Sequence, residues 1–170
     1  MSENLERVRL FDLPVDAAGT REVVAEVDAG FQAGMKKRTL LAMNPEKVFA
    51  LEKDPELLQF FEKADILIPD GIGIVVALRL LKGIRVSRLT GADLMEDVCR
   101  LAARRGYSVF FLGAQEEVNA GAAKILAERY PGLPCFPLCG DVFLHGDNEG
   151  NEEDLAFLAL LCVGMFFTRR

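Results

Sequence analysis

Tryptophan is absent from this chain of 170 residues, and histidine occurs once, at His145. Chemistry that needs two or more imidazoles, as in a His-rich metal site, is in effect excluded. The phosphate-cradling signatures G-x-G-x-x-G and G-x-x-x-x-G-K-[ST] do not occur. Their absence counts against an NAD-dependent Rossmann enzyme and against a P-loop. No apolar run reaches the about 18 residues of a membrane span. The longest, Leu155 to Phe167, has 13 and reads as a core element or an interfacial segment. A cationic excess is missing as well: 20 Lys and Arg stand against 26 Asp and Glu, a formal net charge of −6. Broad nucleic-acid binding is therefore not expected. The four cysteines do not form a framework. Cys99 and Cys162 sit in apolar patterns as small core residues, and Cys135-x3-Cys139 with His145 falls short of a zinc ligand set. No signal-peptide pattern opens the chain, so a reduced, cytoplasmic setting is expected.

What is present is a hydrophobic fraction of 51%, enough for one domain of residues 1–170 with a real core. Charge is unevenly spread. Arg79, Lys82, Arg85 and Arg88 lie within ten residues that hold no acid, and residues 141–154 hold six acids and no Lys or Arg. A local anion site is compatible with an acidic chain.

Apolar strands alternate with helical spacing. "VRLFDLPVD" reads as a short strand or a hairpin closed by Pro14 and Asp16. Val23, Val24, Val27 and Phe31 mark a helix that Gly30 and Gly34 end. "RTLLAMN" is a strand stopping at Asn44, followed by a helix from Glu46 to about Lys53. Asp54 and Pro55 start the next helix as N-cap and first helical residue. "DILIP" is a strand stopping at Asp70, and "GIGIVVALRLL" is a helix entered through glycines. Thr90 opens a helix that Gly106 stops. "YSVFFLG" is a buried strand ending at Gly113, and "AQEEVNAGAAKILAERY" is a helix ended by Pro131 and Gly132. This order predicts an α/β fold with a mostly parallel sheet and helices on both faces. Ligands bind such sheets beyond the carboxyl ends of the strands, so Asn44, Asp70 and Gly113 are the positions to watch.

Each of these positions admits two roles. Asp70, between Pro69 and the glycines Gly71 and Gly73, either caps the following helix or acts as a general base on a substrate hydroxyl. Arg79 and Lys82 suit the negative end of a helix dipole, while Arg85 and Arg88 lie beyond Gly83, where arginine can clamp a diphosphate. Asn44 either starts the turn before Pro45 or hydrogen-bonds sugar hydroxyls. Gly113 and Ala114 either pack a strand tightly on a helix or admit a base or ribose. His145 and Asp147 are expected on a solvent-exposed loop.

Five stretches occur in one collinear run over residues 8–134: "FDLPVD", "LLAMNPEKVFALEKDPEL", "ADILIPDGIGIVVALRLL", "RLTGADLM" and "VFFLGAQEEVNAGAAKILAERYPGL". Together they resemble the WecG/TagA/CpsF family of bacterial glycosyltransferases. The resemblance implies a Rossmann-like domain and an inverting transfer without a cofactor. N-acetylmannosamine or a related sugar would pass from a UDP donor to undecaprenyl-diphosphate-linked N-acetylglucosamine at the cytoplasmic membrane face. The products would serve teichoic acid, common antigen or capsule synthesis. It also implies that Asp70 is the base, Asn44 a pocket residue and Arg88 a pocket arginine; Gly71, Gly73, Gly113 and Ala114, which leave room for a ligand, are the further candidate substrate-binding residues.

The chain departs from the family pattern in two places. Ala42 stands where many members have Thr. Residues 135–170 lack the Gly-x-Pro-x-Gln-Glu motif and the basic appendage that closes the site and meets the membrane. The expectation is a truncated, frameshifted or naturally short chain with peripheral membrane contact put in doubt. Its final apolar run either covers a sheet edge or drives self-association. A catalytically inert nucleotide-sugar-binding or interaction protein is the alternative.

Overall fold

Residues 5–34, 37–112, 116–138, 157–160 and 165–168 are described by the computed structural model. Along the chain these form β1 (Arg7–Leu10), β2 (Leu13–Asp16), α1 (Thr20–Gln32), β3 (Lys37–Met43), α2 (Pro45–Leu51), α3 (Pro55–Glu62) and β4 (Ile66–Pro69). They continue with α4 (Ile72–Lys82), α5 (Gly91–Arg105), β5 (Ser108–Leu112), α6 (Glu116–Arg129), β6 (Cys135–Leu138), β7 (Phe157–Leu160) and β8 (Met165–Thr168). The expected α/β, Rossmann-like class is what forms. A six-stranded sheet runs in the order β4-β3-β7-β8-β5-β6, and every pairing in it is parallel except those of β8.

Side-chain alternation along the strands divides the core into two layers. Leu40, Ala42, Ile66 and Ile68 face α1, α5 and α6, packing with Val27, Leu94, Val98 and Leu126. Leu41, Met43 and Leu67 face the other way, against the hairpin and against Val48, Phe61, Ile74 and Leu78 of α2, α3 and α4. Helices thus cover both faces. Ala42, which replaces the expected Thr, is fully buried in the first layer. Cys99 lies in the same layer, and burial pushes its thiol up to about 12, as suits a small core residue.

The structure corrects three sequence-based expectations. The N-terminal strands do form a hairpin, but it turns at Phe11 and Asp12, both with positive φ (52° and 58°), while Pro14 and Asp16 lie within β2. Gly30 does not end α1, which runs on to Gln32. A Cβ at Gly30 would stand 3.0 Å from Nη1 of Arg38, so the glycine makes room for that buried side chain. Arg38 donates to Oε1 of Glu26 at 2.7 Å and to its carbonyl at 3.1 Å, tying β3 to α1. Finally, the apolar run near the end does not cover a sheet edge. It supplies β7 and β8, which fill the centre of the sheet between β3 and β5.

The edge strand β4 is held by the hairpin. Asp16, buried, accepts from Nε and Nη2 of Arg7 at 2.8 and 2.9 Å and from the Leu67 N–H at 2.7 Å. Arg7 also donates to the carbonyls of Ala64 and Asp65, both at 2.9 Å. The Asp16 hydrogen bond, the largest influence on it, raises the Arg7 guanidinium above its ordinary value. An edge N–H that would otherwise lack a partner is thus satisfied, and the strand leading to Asp70 is fixed at its start.

Candidate active site

The register between β3 and β4 pairs Met43 with Pro69, so one step further Asn44 comes to lie beside Asp70. The Asp70 N–H donates to the Met43 carbonyl at 2.8 Å, and on its other side Asp70 bridges Leu89. Asp70 is half-buried, and no described residue donates a hydrogen bond to its carboxylate. It does not cap α4. The N-cap is Gly71, and no side-chain cap bond forms there.

Gly71 adopts φ 83° and ψ 155°, a backbone region that essentially only glycine occupies. A Cβ there would meet nothing within 4 Å, so any cost of adding one is backbone strain alone. Gly71→Ala is expected to lower stability by about 1–3 kcal/mol. Denaturant unfolding checks this, and an unchanged midpoint would show that the turn tolerates a side chain. Gly73 acts differently. A Cβ on it would stand 2.9 Å from Cγ of Pro45, so it lets the start of α4 close on the start of α2. The Asn-Pro turn and the Asp-Gly-x-Gly turn are therefore packed together as one unit.

Asn44 is the N-cap of α2. Its Oδ1 accepts from the Lys47 N–H at 2.9 Å, the turn-starting role open to it from sequence. Its Nδ2 has no acceptor among the described residues, so one polar end of a half-buried amide remains available.

Arg88 directly precedes Leu89, the fully buried residue bridged to Asp70. The segment that carries it is anchored in further ways. Val86 packs on the second core layer, a Cβ at Gly19 would stand 2.7 Å from Oγ of Ser87, and Thr90 caps α5 by accepting from the Asp93 N–H at 3.1 Å. Arg88 is exposed and forms no ion pair with any described acid. Arg79 and Lys82, by contrast, occupy the last turn of α4, with Arg79 about 12 Å along the helix from Gly71. The basic stretch is thus split between the site and the far end of α4. The N-termini of α4 and α5 both open at this edge, next to Asp70 and Leu89, and a helix N-terminus favours an anion.

β5 ends at the same side of the sheet but further off. Two strands separate it from β3, a gap of about 14 Å between β3 and β5. Gly113 and Ala114 lie outside the described residues, as do Cys139, His145, Asp147 and Cys162. The structure therefore joins Asn44, Asp70, Gly71, Gly73 and the Arg88 segment into one cluster. Sequence reasoning missed Leu89, Gly19 and Pro45, which position that cluster. Gly19 and Gly73 are the kind of residue that permits close approach, but their partners Ser87 and Pro45 are remote in sequence.

In a mostly parallel α/β sheet, a carboxylate at a strand end, with Arg88 on the adjoining segment and the N-termini of α4 and α5 opening nearby, is an arrangement able to accept a proton and hold an anionic group. The chain matches the Glycosyl transferase WecG/TagA/CpsF family over residues 8–160 and belongs to it. The match continues past residue 134 and takes in β7. A relative from Bacillus subtilis (strain 168), N-acetylglucosaminyldiphosphoundecaprenol N-acetyl-beta-D-mannosaminyltransferase, is 30% identical over 117 residues. That match covers 69% of this chain and 42% of the relative, so the chain spans less than half of that protein's length.

Proposed function

We propose that the chain is an inverting sugar transferase that takes N-acetylmannosamine or a related sugar from a UDP donor. The acceptor would be N-acetylglucosamine linked through a diphosphate to undecaprenol, the acceptor named for the Bacillus relative. The observation that carries this reading is Asp70: half-buried, beside Asn44, and without a hydrogen-bond donor among the described residues. A carboxylate at a strand end that caps no helix supports a role in proton transfer at that end of the sheet.

In this mechanism Asp70 takes the proton from the acceptor hydroxyl. The hydroxyl oxygen attacks the anomeric carbon from the face opposite UDP, and the bond from that carbon to the diphosphate oxygen breaks. Negative charge grows on the leaving diphosphate. Arg88 and the N-termini of α4 and α5 stabilise it by charge and by backbone N–H groups. Nδ2 of Asn44 donates to a sugar oxygen. Gly71 leaves the rim open to the substrate, and Gly73 lets the starts of α2 and α4 close on each other beside it.

The test is transfer of labelled N-acetylmannosamine from its UDP donor to a polyprenyl-diphosphate-linked N-acetylglucosamine in vesicles. The reading predicts a disaccharide product with an inverted anomeric centre. UDP binding by calorimetry with no transfer under those conditions would favour the inert nucleotide-sugar-binding alternative.

A further inference from the structure

No helix among the described residues is long and apolar enough to cross a membrane. One of them is nevertheless apolar on its outer face. α4 packs inward through Ile74 and Leu78, both buried. Outward it exposes Ile72 (65%), Val76 (44%) and Leu80 (76%), spaced four apart on one stripe, with Leu81 (60%) on its flank. An amphipathic surface helix would carry polar residues there, and a contiguous exposed apolar stripe marks an interaction surface. Phe49 of α2, 65% exposed and one turn beyond the Pro45 that touches Gly73, adds to the apolar surface near the start of α4.

The charges around the stripe identify the partner. Arg79 shares the outer face of α4, Lys82 lies in the same last turn, and Arg85 and Arg88 follow on the return segment. All four are exposed, and none is ion-paired to a described acid. An anionic lipid leaflet satisfies both features at once. Apolar side chains enter the boundary of the acyl region, and Arg79, Lys82 and Arg85 meet the lipid phosphates, leaving Arg88 to the site.

We propose that α4 and the segment after it form a docking face for an anionic phospholipid leaflet, with the helix lying in the plane of the membrane surface. The stripe begins at Ile72, two residues after Asp70. Docking in this way holds the candidate site against the surface from which a lipid-linked acceptor would present its sugar.

The experiment uses vesicles without any acceptor, so its outcome is independent of whether the chain transfers sugar. The full chain is sedimented with vesicles of phosphatidylcholine alone and of phosphatidylcholine mixed with phosphatidylglycerol. Binding is expected only to the anionic vesicles and is expected to weaken as salt rises. Leu80→Ser with Leu81→Ser, and separately Arg79→Glu with Lys82→Glu, are each expected to weaken it about tenfold or more. Because the chain has no tryptophan, Leu80→Trp supplies a single reporter on the stripe. Its emission is expected to shift to the blue with anionic vesicles and to stay unchanged with neutral ones. The proposal is overturned by an absence of binding, by equal binding to neutral vesicles, by an unshifted Leu80→Trp emission, or by variants that bind as the wild type does. It is equally overturned by a concentration-dependent dimer that Leu80→Ser dissolves and vesicles do not displace, since the second copy would then be the occupant.

Discussion

Asn in place of Asp70 is expected to reduce sugar transfer by about 10²–10⁴-fold, the usual contribution of a general base, while UDP binding persists. Asn matches Asp in size, and as a helix cap it performs about as well. A structural Asp70 would therefore tolerate the change. The geometry speaks for the larger effect: the cap position of α4 belongs to Gly71, and no α4 N–H among the described residues uses the Asp70 carboxylate. Asn keeps the shape of the site and removes only the ability to accept a proton. Turnover measured at saturating donor, with UDP affinity from calorimetry alongside, separates the two roles. Full turnover in Asp70→Asn would remove the base from the mechanism.

The second large effect concerns stability. Asp16→Ala is expected to cost about 3–5 kcal/mol, read from denaturant unfolding. The side chain is 1% exposed and accepts three hydrogen bonds, two from Arg7 and one from the Leu67 N–H. Its loss leaves a part-buried guanidinium without a counter-charge and a buried N–H without a partner. Asp16→Asn, which retains one acceptor oxygen, is expected to lose less. Because Leu67 lies three residues before Asp70, transfer is also expected to fall in Asp16→Ala at temperatures where the chain is still folded. A loss below about 1 kcal/mol would show that the Arg7–Asp16 pair contributes no more than a surface ion pair.

The local rules in the sequence were enough to read most elements. Asp54 before Pro55, Thr90 before Asp93 and Gly106 after Arg105 act as the caps their chemistry suggests, with Asp54 accepting from Glu56 and Leu57 and Gly106 in the left-handed region. The two strand ends of the candidate site, Asn44 and Asp70, are visible because β3 and β4 are short, largely apolar runs that stop at polar residues. Features that depend on remote partners were not visible. Phe11 and Asp12 form a turn without glycine, so composition gave no sign of it. Gly30 looked like a helix stop because its reason, Arg38, enters from the next strand. The order of the sheet was hidden for the same cause. Nothing local tells that residues 157–160 and 165–168 separate β3 from β5. The bridge from Asp70 to Leu89, which brings the Arg88 segment to the site, joins positions on either side of a whole helix.

The central claim is that the adjoining ends of β3 and β4 form the donor site. Amide resonances recorded during a titration with UDP test it most directly. The account predicts that the shifts concentrate at Asn44, Asp70, Gly71, Gly73, Arg88 and Leu89, with Arg79 and Lys82 unmoved. Shifts concentrated at the far end of α4, or saturable UDP binding that leaves Asn44, Asp70 and Gly71 unchanged, would contradict it.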